Sequence, residues 1–449
     1  MAEKTFKIIT LGCKVNQYES ACLNERLMEE GWLPCPEDHR AGMTIVNTCI
    51  VTRKASYQSR QAIRRAIREN PSGMTAAVGC YAQVFPEELI PIKGITVIAG
   101  NIEKARMPDL FRRAEGSCNP RLFSGDFPDR TPFEHIPVKK FTGRTRAFLK
   151  IQDGCESFCS YCIVPFARGP YRSLDPGRVI EALKSLYENG YREVVLTGVH
   201  LGRYGADSKG GAGLAELLHR IGKEGLPLRI RLSSLEPKEI GRDLIDMVAS
   251  ENWLCRHFHI PLQSGDNGIL KMMNRRYTSG EFAALVERIH EKIPLAAIGV
   301  DVMAGFPGED DRAYQNTFHL IEELPVSYLH VFPYSPRRGT IAAGLPGRVN
   351  GRAIKERAEH LRKLGTEKRK AFYTSCLGTE FEVLAQGWHS PEKDTVKGIS
   401  DNYLPVIFPS HRCIKNTMRK VLIQEACGPE GRYLHGYSTQ YHLDRPEKG

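Results

Sequence analysis

Apolar and polar positions alternate in blocks along the first 115 residues. Short apolar runs, several rich in β-branched residues, are separated by stretches with helical periodicity at about 17–30, 53–69, 86–90 and 101–114. The apolar runs are KIITLG, MTIVNTC, TAAVGCY and ITVIAG. A strand–helix repeat of this kind predicts a doubly wound α/β domain built on a parallel sheet.

A second strand–helix series occupies residues 144–373. Its candidate strands are AFLKIQ, EVVLTGV, RIRLSS, HFHI, AIGVDVMAGF and YLHVFPY. Six parallel strands are too few for a closed eight-stranded barrel, so the pattern predicts an open, partial (β/α)6 barrel. The chemistry of such a barrel is expected at the carboxyl ends of its strands.

Two further stretches complete the predicted domain organisation. Residues 116–143 are rich in Pro, Gly and charged side chains, which predicts a linker between domains 1–115 and 144–373. Residues 374–441 form a separate C-terminal domain in which only strand-like pieces follow one another. These pieces are TEFEVLAQGW, DTVKGISDNYLPVIFP, MRKVLIQEA and YLHGYS.

Composition narrows the class of protein. The 449 residues exceed one ordinary domain, and the formal net charge of +11 favours a polyanionic partner such as nucleic acid. No stretch is apolar enough for a signal peptide or a membrane span. Thirteen cysteines without an export signal are expected as metal ligands or free thiols. We therefore expect a cytoplasmic protein with no membrane partner.

Three cysteines lie within eight positions, in the sequence GCESFCSYC directly after the first strand of the partial barrel. Cys155, Cys159 and Cys162 lack the nearby second ligand pair that a zinc ribbon needs. Three thiolates can instead hold three irons of a [4Fe–4S] cluster and leave the fourth iron open to another ligand. An open coordination position is typical of a reactive metal centre.

Three other cysteines follow separate strands of the N-terminal domain. Cys13, Cys49 and Cys80 stand at the carboxyl ends of the first, second and third predicted strands. Ligands bind at this edge of an open parallel sheet, so the three thiols are expected to converge on one site. Any one of them alone would more often be a buried small apolar side chain, and it is the three equivalent strand ends that favour a shared site.

The spacing CxxxCxxC, with Tyr161 before its third cysteine, resembles the radical S-adenosylmethionine (SAM) superfamily. Other blocks are similar to its methylthiotransferase branch: TLGCKVNQYES, NTCIVTRKAS, VGCYAQ, LTGVHLGRYG, RLSSLEP, HIPLQSGDNGILKMMNRRYT, DVMAGFPGED and HVFPYSPRRGT. The resemblance implies that Cys155, Cys159 and Cys162 hold a [4Fe–4S] cluster that binds SAM and yields a 5′-deoxyadenosyl radical. It also implies a second [4Fe–4S] cluster on Cys13, Cys49 and Cys80, which carries or donates sulfur.

Further cofactor contacts are predicted near the strand ends of the barrel. They are Tyr161, Ser234, Glu236, Gln263 and Gly305. Ser234 and Glu236 follow the third strand, Gln263 follows the fourth, and Gly305 would allow close approach of the backbone to a ligand. Ordinary loop capping or turn formation is the alternative role for these side chains.

Basic residues cluster in three places and indicate an RNA partner. Two are helix-like runs, at about 53–69 and 352–373, and either run alone could be a solvated surface helix. The third is the C-terminal domain, which resembles a TRAM domain, a small β-barrel of RNA-modifying enzymes. Its loops are expected to carry basic residues that contact phosphates: His411, Arg412, Lys415, Arg419 and Lys420.

The N-terminal signature suggests the substrate. LGCKVNQYES with NTCIVTRKAS is most similar to the branch that acts on N6-threonylcarbamoyladenosine in transfer RNA. The resemblance implies methylthiolation at C2 of this adenosine, just 3′ of the anticodon, with a flavodoxin- or ferredoxin-type electron donor and a sulfide source as partners. Alternatives are methylthiolation of N6-isopentenyladenosine or of a ribosomal protein, and a non-catalytic iron–sulfur module that binds RNA.

Overall fold

The N-terminal part of the chain folds as a parallel six-stranded sheet with the strand order β2-β1-β3-β4-β5-β6. The computed structural model describes residues 4–36, 39–114, 116, 119–128, 131–208, 210–428 and 432–438. The elements of this sheet domain are β1 Thr5–Thr10, α1 Lys14–Glu29, β2 Leu33–Pro34, β3 Met43–Thr48, α2 Arg53–Glu69, β4 Met74–Gly79, α3 Cys80–Val84, β5 Val97–Ala99, α4 Met107–Ala114 and β6 Arg121–Phe123.

Helices cover both faces of this sheet, which confirms the doubly wound prediction. Every residue of β3 is buried, as expected for a central parallel strand covered on two sides. Leu23 and Leu27 of α1 pack on one face together with Phe111 of α4. Ile63 of α2 and Tyr81 of α3 pack on the other face.

Two strands of this sheet were not predicted from the sequence. The first is β2, only two residues long, and the second is β6, which lies in the predicted linker 116–143 and pairs in parallel with β5. Both lie at the edges of the sheet and are largely exposed, so no apolar pattern marks them. The segment 116–143 therefore contributes one strand to the N-terminal sheet.

All six strands predicted for the second series are present, and they form an open, partial barrel. The structure has them as two parallel sheets in the order β7-β10-β11 and β12-β13-β14. Between the sheets, Ile230 of β11 forms an isolated parallel bridge with Leu254, which precedes β12. The elements are β7 Arg146–Lys150, β8 Gln152–Asp153, α5 Val164–Arg168, β9 Arg172–Ser173, α6 Pro176–Glu188, β10 Glu193–Thr197, α7 Leu214–Lys223, β11 Arg229–Leu232, α8 Arg242–Ser250, β12 His257–Gln263, α9 Asn267–Met272, α10 Ser279–Lys292, β13 Ala297–Ala304, α11 Asp311–Glu323, β14 Tyr328–Pro333 and α12 Gly351–Ser375.

The C-terminal domain is a closed five-stranded barrel with the order β15-β16-β17-β19-β18, consistent with a TRAM-like domain. Its core contains Phe381, Val396, Phe408, Ile423 and Leu434, all buried. The strands are β15 Glu380–Ser390, β16 Thr395–Ser400, β17 Pro405–Pro409, β18 Met418–Cys427 and β19 Tyr433–Ser438. Arg419 and Lys420, expected in loops, lie on β18 instead, because that strand begins before them.

Two buried arginines of β11 connect this small barrel to the partial barrel by hydrogen bonds. Glu193 of β10 accepts from Arg229 (2.6 Å) and Arg231 (2.8 Å) of β11. The same guanidinium groups donate to carbonyl oxygens of the C-terminal domain, Arg229 to Ile399 (3.0 Å) and Arg231 to Asp401 (2.8 Å). No helix in the described part of the chain is long and apolar enough to cross a membrane.

Candidate active site

The loop with the three adjacent cysteines is held in place by the surrounding backbone. The Cys155 amide donates to Gly169 O (3.0 Å), and the Ser160 amide donates to Met273 O (3.0 Å). Burial raises the pKa of the Cys162 thiol to about 12, and the neighbouring Cys159 and Cys155 add to that shift by charge repulsion. Thiols this close repel one another as thiolates unless cations bind them, so the set fits a thiolate-ligated iron cluster.

A cleft of about 200 Å³ opens beside this loop. Arg275 and Glu236 lie side by side in it, with Arg275 Nη1 3.0 Å from Glu236 Oε1, and Arg275 also donates to Cys159 Sγ (3.5 Å). A guanidinium and a carboxylate can bind the carboxylate and the ammonium group of an amino acid. The cleft therefore fits the methionine end of SAM next to the cysteine loop.

The cleft contains functional candidates that sequence reasoning missed. Arg275 lies in the sequence block HIPLQSGDNGILKMMNRRYT, but the spacing of that block does not show that Arg275 contacts Glu236. His200 also lines the cleft; its Nδ1 is 3.2 Å from Ser157 Oγ and its Nε2 is 2.7 Å from Glu239 Oε1.

Four of the predicted cofactor contacts lie outside the described lining of this cleft. The described lining of the cleft includes Glu236 but not Tyr161, Ser234, Gln263 or Gly305. The Tyr161 ring packs edge-on against Phe306, with the ring centroids 6.5 Å apart. A Cβ at Gly305 (φ +83°) would lie 2.3 Å from Ile354 Cγ1, so this glycine lets α12 approach the end of β13.

A cluster of polar side chains spans three adjacent strands of the partial barrel. His259, Asp301 and His330 lie on the adjacent strands β12, β13 and β14, with His259 Nε2 2.8 Å and His330 Nδ1 3.3 Å from Asp301 Oδ1. Ser234 Oγ is 3.1 Å from the other ring nitrogen of His259. Burial lowers the pKa of Lys14 of the N-terminal domain, and Tyr403 and, more weakly, Asp301 oppose that shift.

Cys13, Cys49 and Cys80 directly follow the adjacent strands β1, β3 and β4 at the carboxyl edge of the N-terminal sheet, or lie within three residues of their ends. Burial raises the pKa of Cys49 to about 11, and Cys80 and Cys13 add to the shift. Gly12 (φ +94°) makes room for this approach, because a Cβ there would lie 2.8 Å from Cys49 Sγ. Ser59 of α2 donates to Cys49 O (3.0 Å) and fixes that thiol on its strand end.

A buried network of charges joins this second trio to the partial barrel. Arg168 of α5 donates to Asn16 Oδ1 (2.7 Å) and pairs with Glu19, two residues of α1. The network contains four cations and two carboxylates: Arg168, Lys104, Lys150, Arg172, Glu19 and Asp153. This excess of positive charge favours anionic ligands nearby, and Arg168 opposes the rise that burial causes in the Cys13 pKa.

Comparison with known proteins agrees with this architecture. Residues 149–321 match the Radical SAM superfamily, and residues 5–100 match a family described as Uncharacterized protein family UPF0004. The radical SAM methyltransferase TsrM from Kitasatospora setae shares the fold, with a TM-score of 0.56 and 15% identity over 74% of this chain and 73% of that chain. The fold and the cysteine loop thus define a radical SAM enzyme.

Relatives narrow this class to one family. The chain is 37% identical to Threonylcarbamoyladenosine tRNA methylthiotransferase MtaB of Bacillus subtilis (strain 168) over 431 residues, 95% of each chain. It is 38% identical to the MtaB protein of Aquifex aeolicus (strain VF5) over 84% of this chain and 91% of that one. It is also 32% identical to tRNA-2-methylthio-N(6)-dimethylallyladenosine synthase of Moorella thermoacetica over 95% and 97%.

The chain therefore belongs to the radical SAM tRNA methylthiotransferase family, with relatives of the MtaB type prominent among those it matches. Membership of this family implies an enzyme that uses SAM and a [4Fe–4S] cluster.

Proposed function

We propose that this enzyme adds a methylthio group to C2 of N6-threonylcarbamoyladenosine, next to the anticodon of its transfer RNA substrate. The observation that carries the substrate choice is the polar cluster on β12, β13 and β14, where His259 and His330 both contact Asp301. A threonylcarbamoyl group carries a carboxylate and a hydroxyl that such side chains can bind, whereas an isopentenyl group requires an apolar pocket. The MtaB relatives support the same choice.

The radical step is assigned to the cysteine loop and the neighbouring cleft. We assign Cys155, Cys159 and Cys162 as ligands of a [4Fe–4S] cluster, which when bound supplies the electron that cleaves SAM to a 5′-deoxyadenosyl radical. Arg275 and Glu236 bind the carboxylate and the ammonium group of SAM and so hold its sulfonium beside the cysteine loop. Tyr161, Ser234, Gln263 and Gly305 remain predicted to position this cofactor.

The sulfur step is assigned to the N-terminal trio. We assign Cys13, Cys49 and Cys80 as ligands of a second [4Fe–4S] cluster, which when bound would supply sulfur for the methylthio group, with a further SAM as the source of the methyl group. The convergence of the three thiols and the excess positive charge around Arg168 support this assignment. An electron donor of the flavodoxin or ferredoxin type and a source of sulfide complete the cycle.

Nucleoside analysis tests the proposed function. The protein is expressed in a bacterium that lacks its own enzymes for both methylthio nucleosides, and digested transfer RNA is examined by mass spectrometry. We expect 2-methylthio-N6-threonylcarbamoyladenosine with the wild type and none with Cys155→Ala, which is produced in parallel. Accumulation of 2-methylthio-N6-isopentenyladenosine alone would instead place the chain with the Moorella relative's activity.

A further inference from the structure

A cleft of about 450 Å³ lies between α2 and the segment 335–338 that follows β14. Four arginines line it, and we call it the arginine cleft: Arg53, Arg60, Arg337 and Arg338. We propose that the arginine cleft binds phosphate groups of the anticodon loop of the RNA substrate and so positions the adenosine for reaction. The inference rests on the proposed function and adds a site of RNA contact separate from the C-terminal barrel.

The two walls of the arginine cleft come from different domains and are joined by hydrogen bonds. The Arg53 amide of α2 donates to Ser335 Oγ (3.0 Å), and Arg337 Nη2 donates to Ser56 Oγ (2.9 Å). The cleft therefore exists only where the N-terminal sheet domain meets the partial barrel. A ligand bound there contacts both halves of the enzyme at once.

The charges of the cleft are only partly neutralised. Glu88 contacts Arg60 (3.3 Å), and Glu87 pairs with Arg338. Across the described residues, no carboxylate pairs with the side chain of Arg53 or Arg337. Arg337 is only 6% exposed, and its Nε–H has no hydrogen-bond partner. A buried, unsatisfied guanidinium N–H in a cleft is the donor that a phosphate oxygen would complete.

Helix α2 strengthens the attraction for an anion. Its first turn contains no acidic residue, although acidic side chains normally stabilise that end of a helix. Arg53 occupies the first position instead, so its charge adds to the positive end of the helix dipole. The charge of Arg53 and the positive end of the helix dipole both lie at the cleft, where they favour binding of a phosphate group.

The arginine cleft lies close to the reacting groups. Cys49 is four residues before the start of α2, and Ser59 of the same helix holds its backbone by two hydrogen bonds (3.0 and 3.1 Å). Tyr57 lines the cleft and is 56% exposed, which leaves its ring free to stack on an unpaired base. A loop nucleotide whose phosphate is bound here is thus held beside the N-terminal trio.

The shape of the site favours RNA over an acidic electron-donor protein. A guanidinium fork matches a phosphate group by two parallel hydrogen bonds. Protein partners normally need a broad patch of about 800 Å² per side, whereas these arginines line a single cleft of about 450 Å³. We therefore assign the cleft to the RNA backbone and make the protein partner an outcome of the test.

The test measures binding of transfer RNA from a strain that lacks methylthiotransferases, over a series of salt concentrations. The variants are Arg53→Gln and Arg337→Gln. The side chain of Arg53 is exposed, and no buried contact in the described structure depends on it. Arg65→Gln is the matched control: it lies on the same helix with a 73% exposed side chain paired to Glu69 and does not line the cleft. Melting temperature and iron content check that each variant is folded.

We expect Arg53→Gln and Arg337→Gln to weaken binding about tenfold and to reduce the salt slope by about 1 each, as for one lost phosphate contact. Arg65→Gln should differ little from the wild type. The same losses should appear with an RNA hairpin of the anticodon arm alone. Because the backbone is common to all modified adenosines, this result is independent of which nucleoside receives the methylthio group.

Several results would overturn the inference. Equal losses in Arg53→Gln and Arg65→Gln would show general surface charge only, and a loss seen with whole transfer RNA but not with the anticodon arm would place the contact elsewhere. Unchanged RNA affinity with slower reduction by flavodoxin would assign the cleft to a protein partner. Failure of the wild type to bind transfer RNA would contradict the proposed function itself, and the inference with it.

Discussion

Arg168 lies between the two cysteine trios and contacts residues of both domains. It follows Cys162 by six positions, pairs with Glu19 of α1 and carries its positive charge close to Cys13 and Cys80. Asn101 adds a second connection, since its side-chain amide donates to Cys80 Sγ (3.6 Å) and to Ala167 O (2.6 Å). The helix that leaves one trio therefore helps to hold the other.

Iron content should distinguish the two cysteine trios. We expect about two four-iron clusters per chain after anoxic reconstitution. Replacing Cys13, Cys49 and Cys80 by Ala should remove one cluster but leave cleavage of SAM to 5′-deoxyadenosine. Replacing Cys155, Cys159 and Cys162 should remove the other cluster and all cleavage. Colorimetric iron analysis and chromatography of 5′-deoxyadenosine give both readouts.

Arg168→Gln provides a subtler version of this experiment. It removes a buried positive charge near the N-terminal trio and leaves Glu19 with Lys104 and Lys150 only, so iron should be lost from that site first. Arg168→Lys keeps the charge and is the control. For the triple replacement of Cys13, Cys49 and Cys80, an iron content equal to that of the wild type would contradict the second cluster.

At the scale of elements, strands with a continuous apolar pattern were predictable and short edge strands were not. The N-terminal strands β1, β3, β4 and β5 and the six barrel strands were all predicted from periodicity, whereas β2 and β6 have no buried pattern to detect. The cysteine trios could be predicted because strand ends share one edge of a parallel sheet. The pairing of Arg275 with Glu236 and the arginine cleft depend on tertiary contacts between distant segments, which periodicity does not encode.

The pair of strands β10 and β11 carries a pH-dependent contribution to stability. Burial raises the pKa of Glu193, but Arg231 and Arg229 outweigh it and hold the pKa at about 2. This is below the value of about 4.3 for an unfolded glutamate. The ion pairs therefore contribute fully above about pH 4.3, and the contribution is lost as the pH falls towards 2.

Glu193→Gln should lower the free energy of unfolding by about 3 to 5 kcal/mol at neutral pH, because it removes the buried carboxylate shared by Arg229 and Arg231 and leaves Arg229 only the distant Glu382 (3.9 Å). The difference from the wild type should shrink below about pH 4.3. Denaturant unfolding at several pH values measures both effects. Glu216→Gln, which breaks only the exposed pair with Arg220, is the control and should change stability by less than about 1 kcal/mol. A pH-independent difference between the wild type and Glu193→Gln would contradict the assignment.

At the scale of the whole molecule, the C-terminal barrel is a structural part of the catalytic core as well as a candidate RNA-binding domain. The Tyr403 ring stacks on His257 at the start of β12, with the centroids 4.5 Å apart. Asn402 donates to Leu295 O (3.0 Å), and Asp401 pairs with Arg256 (2.5 Å). The loop between β16 and β17 thus closes the amino-terminal end of the partial barrel.

Deletion of residues from 376 onward should therefore do more than weaken RNA binding. It removes the carbonyl partners of Arg229 and Arg231 and exposes His257, so we expect a lower melting temperature and poorer retention of iron. Lys415→Gln changes only an exposed side chain of the same domain and should weaken binding of transfer RNA with the melting temperature unchanged. Calorimetry, iron analysis and RNA titration on the two proteins separate the roles. A truncated protein as stable and iron-rich as the full chain would show that the C-terminal barrel serves RNA binding alone.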